Sequence, residues 1–193
     1  MTNALNANKV LIVGSGLTAP QSSEFNLDGW QILALHHGWM ALPKDRWDVF
    51  LHCHDAPKDM MPIKTRPDQL IVNAVQDYAY APEYKQYYTR EFRKESGYCR
   101  TIFFTGLWWA LHTMDPKVIA TIGCDMHYPD GDANTFYGHG SPDPLKHHRV
   151  NLDKWFKCAS DHCDKEGIEL VNFSPEEFPS SLPFARKNIE DYK

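Results

Sequence analysis

The run at 117–122, KVIATI, is short, β-branched and almost uncharged, and it follows Asp115-Pro116, which closes an apolar helix beginning near Tyr98. Such a run suits a strand covered on both faces of a parallel sheet, where crossover helices bury both sides. The preceding helix carries Ile102, Phe103, Leu107, Trp108, Ala110 and Leu111 to Thr113, and proline cannot continue it. Straight off the carboxyl end of the strand come Gly123, Cys124, Asp125, Met126, His127 and Tyr128, then a polar, glycine-rich segment without periodicity as far as Pro144. In an open parallel sheet, the crevice at such strand ends is where a ligand binds.

The pattern of a strand followed by a polar turn recurs. Residues 9–13, KVLIV, end in Gly14-Ser15-Gly16-Leu17-Thr18-Ala19-Pro20; residues 30–35, WQILAL, end in His36-His37-Gly38-Trp39; residues 47–51, WDVFL, end in His52-Cys53-His54-Asp55. Residues 70–75 and 168–173 read as further strands. Residues 151–166 read as an amphipathic helix with Leu152, Trp155, Phe156 and Ala159 on one face and Gly167 at its end. Strands alternating with helices at this density predict an α/β fold, a Rossmann-like three-layer sandwich with a mostly parallel sheet. With 42% of 193 residues apolar or aromatic, the chain has material for one core, so residues 1–193 are expected to form a single domain.

The formal charge of −5 argues against a general nucleic-acid binder, which needs a concentrated basic face. No apolar run approaches the roughly 20 residues of a membrane span, and the start MTNALNANK has no signal-peptide character, so a cytoplasmic location is expected. Five cysteines without a CxxC pair fit neither a zinc ribbon nor a disulfide framework. His52, His54 and Asp55 are good divalent-metal ligands, and residues two apart on a strand share a side, but no established ligand spacing is present. Residues 76–96 form a candidate lid, in which Tyr78, Tyr80, Tyr84, Tyr87, Tyr88, Arg90, Arg93 and Lys94 can stack on a base and contact phosphate, although such a stretch is more often an amphipathic surface helix, the favoured reading. The aromatic surface from Tyr78 to Phe92 is also a candidate homo-oligomer interface.

The glycine turn after the first strand can aim backbone N–H groups at a phosphate or nucleoside. It lacks the third glycine of a dinucleotide fingerprint, having Ala19-Pro20 there, and no Gly-Lys-Ser/Thr follows to make a Walker A loop. The alternative is a strand that only needs a tight exit. The segment 136–145, FYGHGSPDPL, has two glycines, two prolines and an aromatic pair, which makes a shaped loop beside a strand end.

Taken in order, the V-G-S-G of the first strand, the Thr-Gly on the helix before a strand ending in G-C-D-M-H-Y, and the G-I-E-L-V-N-F-S near the carboxyl end resemble bacterial sialyltransferases and their Rossmann-like relatives, which include proteins near an archaeal pterin diphosphokinase. The resemblance implies a glycosyltransferase using a nucleotide-sugar donor, CMP-linked in the sialyltransferases, with an unidentified acceptor and no required cofactor. By it, Gly14, Ser15 and Gly16 lie against the donor nucleotide, Thr105 and Gly106 contact its phosphate or ribose, and Tyr128 and Tyr137 bond the leaving phosphate. His36 and Asp55 are further candidate contacts, and His36 stands where the family has asparagine. His148 is the expected base, with His147 and His139 as competitors, and Asp125 shares the cleft. A histidine titrating near neutrality suits removal of the acceptor proton, and tyrosine hydroxyls can stabilise the departing phosphate without a metal. In the alternative of a magnesium-dependent phosphotransferase, Asp125 would hold the ion. A non-catalytic nucleotide-binding module is the third reading.

Overall fold

The computed structural model describes residues 7–43, 46–52, 61–73, 101–128, 133–138 and 149–192. Seven strands of these residues pair in parallel: β1 (Lys9–Val13), β2 (Trp30–Leu35), β3 (Val49–His52), β4 (Leu70–Asn73), β5 (Val118–Ile122), β6 (Glu169–Asn172) and β7 (Ala185–Arg186). Their order across the sheet is β4-β3-β2-β1-β5-β6-β7. The chain builds outward from β1 to β4, then returns to lay β5 on the opposite side of β1. That reversal opens a crevice at the carboxyl ends of β1 and β5. Val10 to Val13 are fully buried, and Val13 stands between Ala34 of β2 and Ile122 of β5, as expected of an apolar parallel strand at the sheet centre.

Alternation along the strands sorts their side chains onto two faces. Val10, Ile12, Leu33, Leu35, Val49 and Leu51 face the helices α1 (Ile102–Thr113) and α2 (Arg149–Glu166), meeting Phe103, Phe104, Leu107 and Trp108 of α1 and Trp155 and Phe156 of α2. Leu11, Val13, Ile32, Ala34, Phe50, Ala120 and Ile122 face the other way. There the third layer consists, among the described residues, of 3-10 turns at Ala19–Glu24, His36–Ala41 and Ile189–Tyr192 together with Trp30, Trp47 and Phe173. No helix of the described residues is long and apolar enough to cross a membrane.

The helix ends follow local chemistry. Thr101 caps α1, its hydroxyl accepting the Phe104 N–H at 3.4 Å. At the other end Asp115 takes φ 48° before Pro116. Gly167, at φ 68°, ends α2 with the paired bonds Gly167 N–H to Asp164 O at 3.2 Å and Ile168 N–H to Cys163 O at 2.8 Å, the arrangement glycine permits without strain. β3 starts two residues later than the apolar run. The Trp47 carbonyl instead accepts from Gln69 Nε2 at 2.8 Å and Arg66 Nη2 at 3.0 Å, and the Asp48 carboxylate accepts the Ile32 N–H at 2.7 Å. β7 has no counterpart in the sequence reading, since two residues in a proline-containing tail carry no periodicity.

Candidate functional site

The crevice at the ends of β1 and β5 is a cleft lined by Gly14, Ser15 and Gly16, by Gly123 to Tyr128, by Thr101, Ile102 and Phe103 at the start of α1, and by Leu35, Asn134 and Thr135. Its cavity volume is about 90 Å³, against about 300–1,000 Å³ for a pocket that swallows a drug-sized ligand, so it suits a small group or one end of a larger ligand.

The floor is backbone on backbone. Gly14 N–H donates to Ile122 O at 2.8 Å and Gly16 N–H to Gly123 O at 2.7 Å, so the turn lies flat on the exit from β5. A Cβ at Gly14 would stand 2.3 Å from Gly123 O, and one at Gly16 would stand 2.8 Å from the same atom. Both glycines are therefore demanded by the neighbouring chain, and their N–H groups are already used. Ser15 differs: neither its N–H nor its hydroxyl has a partner among the described residues, while its carbonyl accepts the Phe136 N–H at 3.3 Å. Between Gly14 and Gly16, the donors not already taken among the described residues are those of Ser15.

Asp125 stands at the back of the cleft, buried, with both carboxylate oxygens occupied. Thr18 Oγ1 donates to Oδ2 at 2.7 Å and Ser174 Oγ to Oδ1 at 2.6 Å. Thr18 Oγ1 also accepts the Gly123 N–H at 2.9 Å, and Ser174 N–H donates to Asn172 Oδ1 at 2.9 Å. The Asp125 carbonyl in turn accepts the Ser181 N–H at 2.8 Å. One side chain thus joins the exits of β1, β5 and β6. Thr18 and Ser174 were not singled out in the sequence, although each is a hydroxyl residue just past a strand end. Beside Asp125, burial pushes the Cys124 thiol well above its ordinary range, and the Asp125 charge adds to this, so Cys124 is no nucleophile.

The expected helix contacts lie elsewhere. Thr105 and Gly106 sit one turn inside α1, away from the cleft lining. The Thr105 hydroxyl turns back to Thr101 O at 3.4 Å, and a Cβ at Gly106 would reach within 2.5 Å of Leu35 Cδ2. Gly106 is small to admit β2, and the helix residues that reach the cleft are Thr101, Ile102 and Phe103. Tyr128 lines the cleft and packs on the helix-side core. Tyr137 lies beyond it on the turn from Thr135 to Gly138, where Gly138 N–H bonds Thr135 O at 3.1 Å. Its ring meets His37 edge-on, with centroids 4.8 Å apart. Burial lowers the pKa of His37.

His36, at φ 46°, begins the 3-10 turn after β2 and is not part of the cleft lining. His52 ends β3 stacked on Phe50, centroids 5.4 Å apart. His54, Asp55, His139, His147, His148 and the candidate lid at 76–96 lie outside the described residues. Among the described residues, no three His, Cys, Asp or Glu side chains are grouped so as to hold a metal ion.

No family model matches the sequence and no curated protein is similar to it. Solved structures do share its architecture. The sialyltransferase CstII from Campylobacter jejuni, in complex with the substrate analogue CMP-3FNeuAc, superposes with a TM-score of 0.59 at 13% identity, covering 94% of this chain and 87% of that chain. The fold is that of sialyltransferases. CST-II in complex with a trisaccharide acceptor and CMP gives 0.57 at 14% identity, over 93% of this chain and 88% of that one. The monofunctional alpha-2,3-sialyltransferase Cst-I from Campylobacter jejuni gives 0.52 at 12% identity, over 96% and 84%. At these identities the likeness to sialyltransferases is one of fold.

Proposed function

We propose that the protein is a glycosyltransferase that moves a sugar from a CMP-linked donor to an acceptor hydroxyl. The observation that carries this reading is the cleft itself. It opens at the strand reversal of a fold shared with sialyltransferases, one of them solved with CMP, and it presents the N–H and hydroxyl of Ser15, unengaged among the described residues, beside Asp125 and Tyr128. In this reading Gly14, Ser15 and Gly16 lie against the nucleotide, and the hydroxyls of Tyr128 and Tyr137 steady the departing phosphate. One of His148, His147 and His139 takes the acceptor proton. The acceptor oxygen bonds to the anomeric carbon, the bond from that carbon to the phosphate oxygen breaks, and CMP leaves with the electron pair. No step requires a metal.

The test is a melting screen of the protein against CMP, UDP, GDP, ADP and ATP, each with EDTA and with magnesium, followed by an assay of CMP release from a CMP-linked sugar. A ligand at a hundred times its Kd stabilises the native state by about 2.7 kcal/mol, a rise of several degrees for a domain of this size. CMP should give that rise in EDTA. A rise only with ATP and magnesium would replace this reading with a phosphotransferase.

A further inference from the structure

Three hydroxyl and carboxylate side chains meet at the back of the cleft from distant parts of the chain, and their protons can be counted. Thr18 has one hydroxyl proton and gives it to Asp125 Oδ2; Ser174 has one and gives it to Oδ1. The 3.1 Å between the two hydroxyl oxygens is then a consequence of their shared target, not a bond of its own. The oxygen of Thr18 is also used, by the Gly123 N–H, and Gly123 O holds the Gly16 N–H. From Ser174 to Gly16 the links form one continuous chain. Thr18 is 0% exposed, Ser174 3% and Asp125 6%, so the links lie away from bulk solvent.

From this arrangement we infer that Thr18 and Ser174 are positioning residues of the nucleotide site. They act through Asp125, which is the hub of a brace and not the acid, base or metal ligand of the reaction. A carboxylate clamped at both oxygens by hydroxyl donors is held in one rotamer. What it holds in turn, through Thr18 and Gly123, is the Gly14–Gly16 turn, and with it the direction of the Ser15 N–H and hydroxyl. A Cβ on Gly16 would stand 3.1 Å from Asp125 Oδ2, so the turn passes close against the carboxylate. Loosening the brace leaves the reacting groups present and misdirects the phosphate donors. Affinity for the nucleotide should fall before any chemical step is touched.

This inference rests on the CMP reading for its ligand, and the experiment separates the two. Calorimetric titration with CMP is made on the wild type and on Thr18→Val, Thr18→Ser and Ser174→Ala, beside amide hydrogen exchange at Gly16 and a thermal melt of each. Thr18→Val and Ser174→Ala should weaken CMP binding about ten- to a hundredfold and speed Gly16 exchange by a similar factor, as expected for a lost bond to a buried charge. Thr18→Ser keeps the hydroxyl and should bind within about twofold of wild type. Wild-type affinity and wild-type Gly16 protection in both weakened variants would overturn the inference, and so would Thr18→Ser binding as poorly as Thr18→Val. If Thr18→Val does not fold, Ser174→Ala decides in its place. If the wild type binds no CMP, the donor reading fails and Gly16 exchange in Ser174→Ala alone decides: faster supports the brace, unchanged overturns it.

Discussion

On the face covered by α1 and α2, Phe104 packs its ring against Phe103, Phe156 and Trp155, with centroids 5.3, 5.3 and 5.9 Å away. At the carboxyl edge of the same sheet, Asp125 is held by two hydroxyls, and one of these, Thr18 Oγ1, accepts the Gly123 N–H in turn. Both regions are buried, but dispersion and apolar burial hold the first while directed hydrogen bonds hold the second. Packing tolerates small readjustments and fails in proportion to lost volume. A chain of buried polar links fails when any one member loses its partner. The helical face should therefore govern stability and the carboxyl edge should govern ligand affinity.

The comparison is tested hardest by Phe104→Ala, which should cost about 3–5 kcal/mol in urea unfolding while the folded fraction binds CMP within about twofold of wild type. A large loss of CMP affinity in protein that is still folded would break the separation. Gly14→Ala drives a Cβ toward a backbone oxygen 2.3 Å away, where no rotamer change gives relief. It should cost about 1–3 kcal/mol and also raise the CMP Kd more than tenfold, measured by calorimetry. Gly106→Ala meets only the end of the Leu35 side chain, and the gain in helix propensity offsets part of the crowding. Its expected cost is about 1 kcal/mol with CMP binding unchanged; lost binding would return Gly106 to the ligand.

Acid should separate the regions further. Burial first, and the neighbouring His162 second, lower the pKa of His112 to about 4 from 6.5, so the folded state favours neutral imidazole. The unfolded chain binds the extra proton, so this contribution is complete above pH 6.5 and is lost as pH falls toward 4. Melting temperature should decline across that window, and His112→Gln should flatten the decline. The smallest effect belongs to Lys157, whose exposed bond to Asp161 spans 2.6 Å. Lys157→Ala should change stability by about 0.5 kcal/mol or less in the same urea assay.

Much of the sheet was legible because burial on both faces leaves an unmistakable apolar run. β1 and β2 occupy the residues their sequences marked, and α2 begins only two residues ahead of the expected 151–166. The turn after β1 was located correctly, yet the N–H groups of its two glycines point away from the crevice. The carbonyls that take them belong to Ile122 and Gly123, a partner strand more than a hundred residues away that no local pattern reveals. Gly106 looked like a ligand contact for the same reason: the need for a missing side chain came from Leu35 on another element. Thr18 and Ser174 left only a faint signal, a hydroxyl just beyond a strand, which is common enough to pass unnoticed. Position along the chain was readable; pairing across it was not.

The Asp125 hub also sets an order of events during synthesis. Its two clamping hydroxyls are separated from it by 107 residues on one side and 49 on the other. Loop closures of that length are slow compared with helix formation, because chain entropy must be spent before the contact repays it. The central strands and α1 can gather as soon as β5 emerges from the ribosome, whereas the cleft at the carboxyl edge stays unset until Ser174 has followed. A nascent chain ending short of that serine would already carry strands and a hydrophobic core, but the Asp125 carboxylate would still lack one of its two clamping hydroxyls.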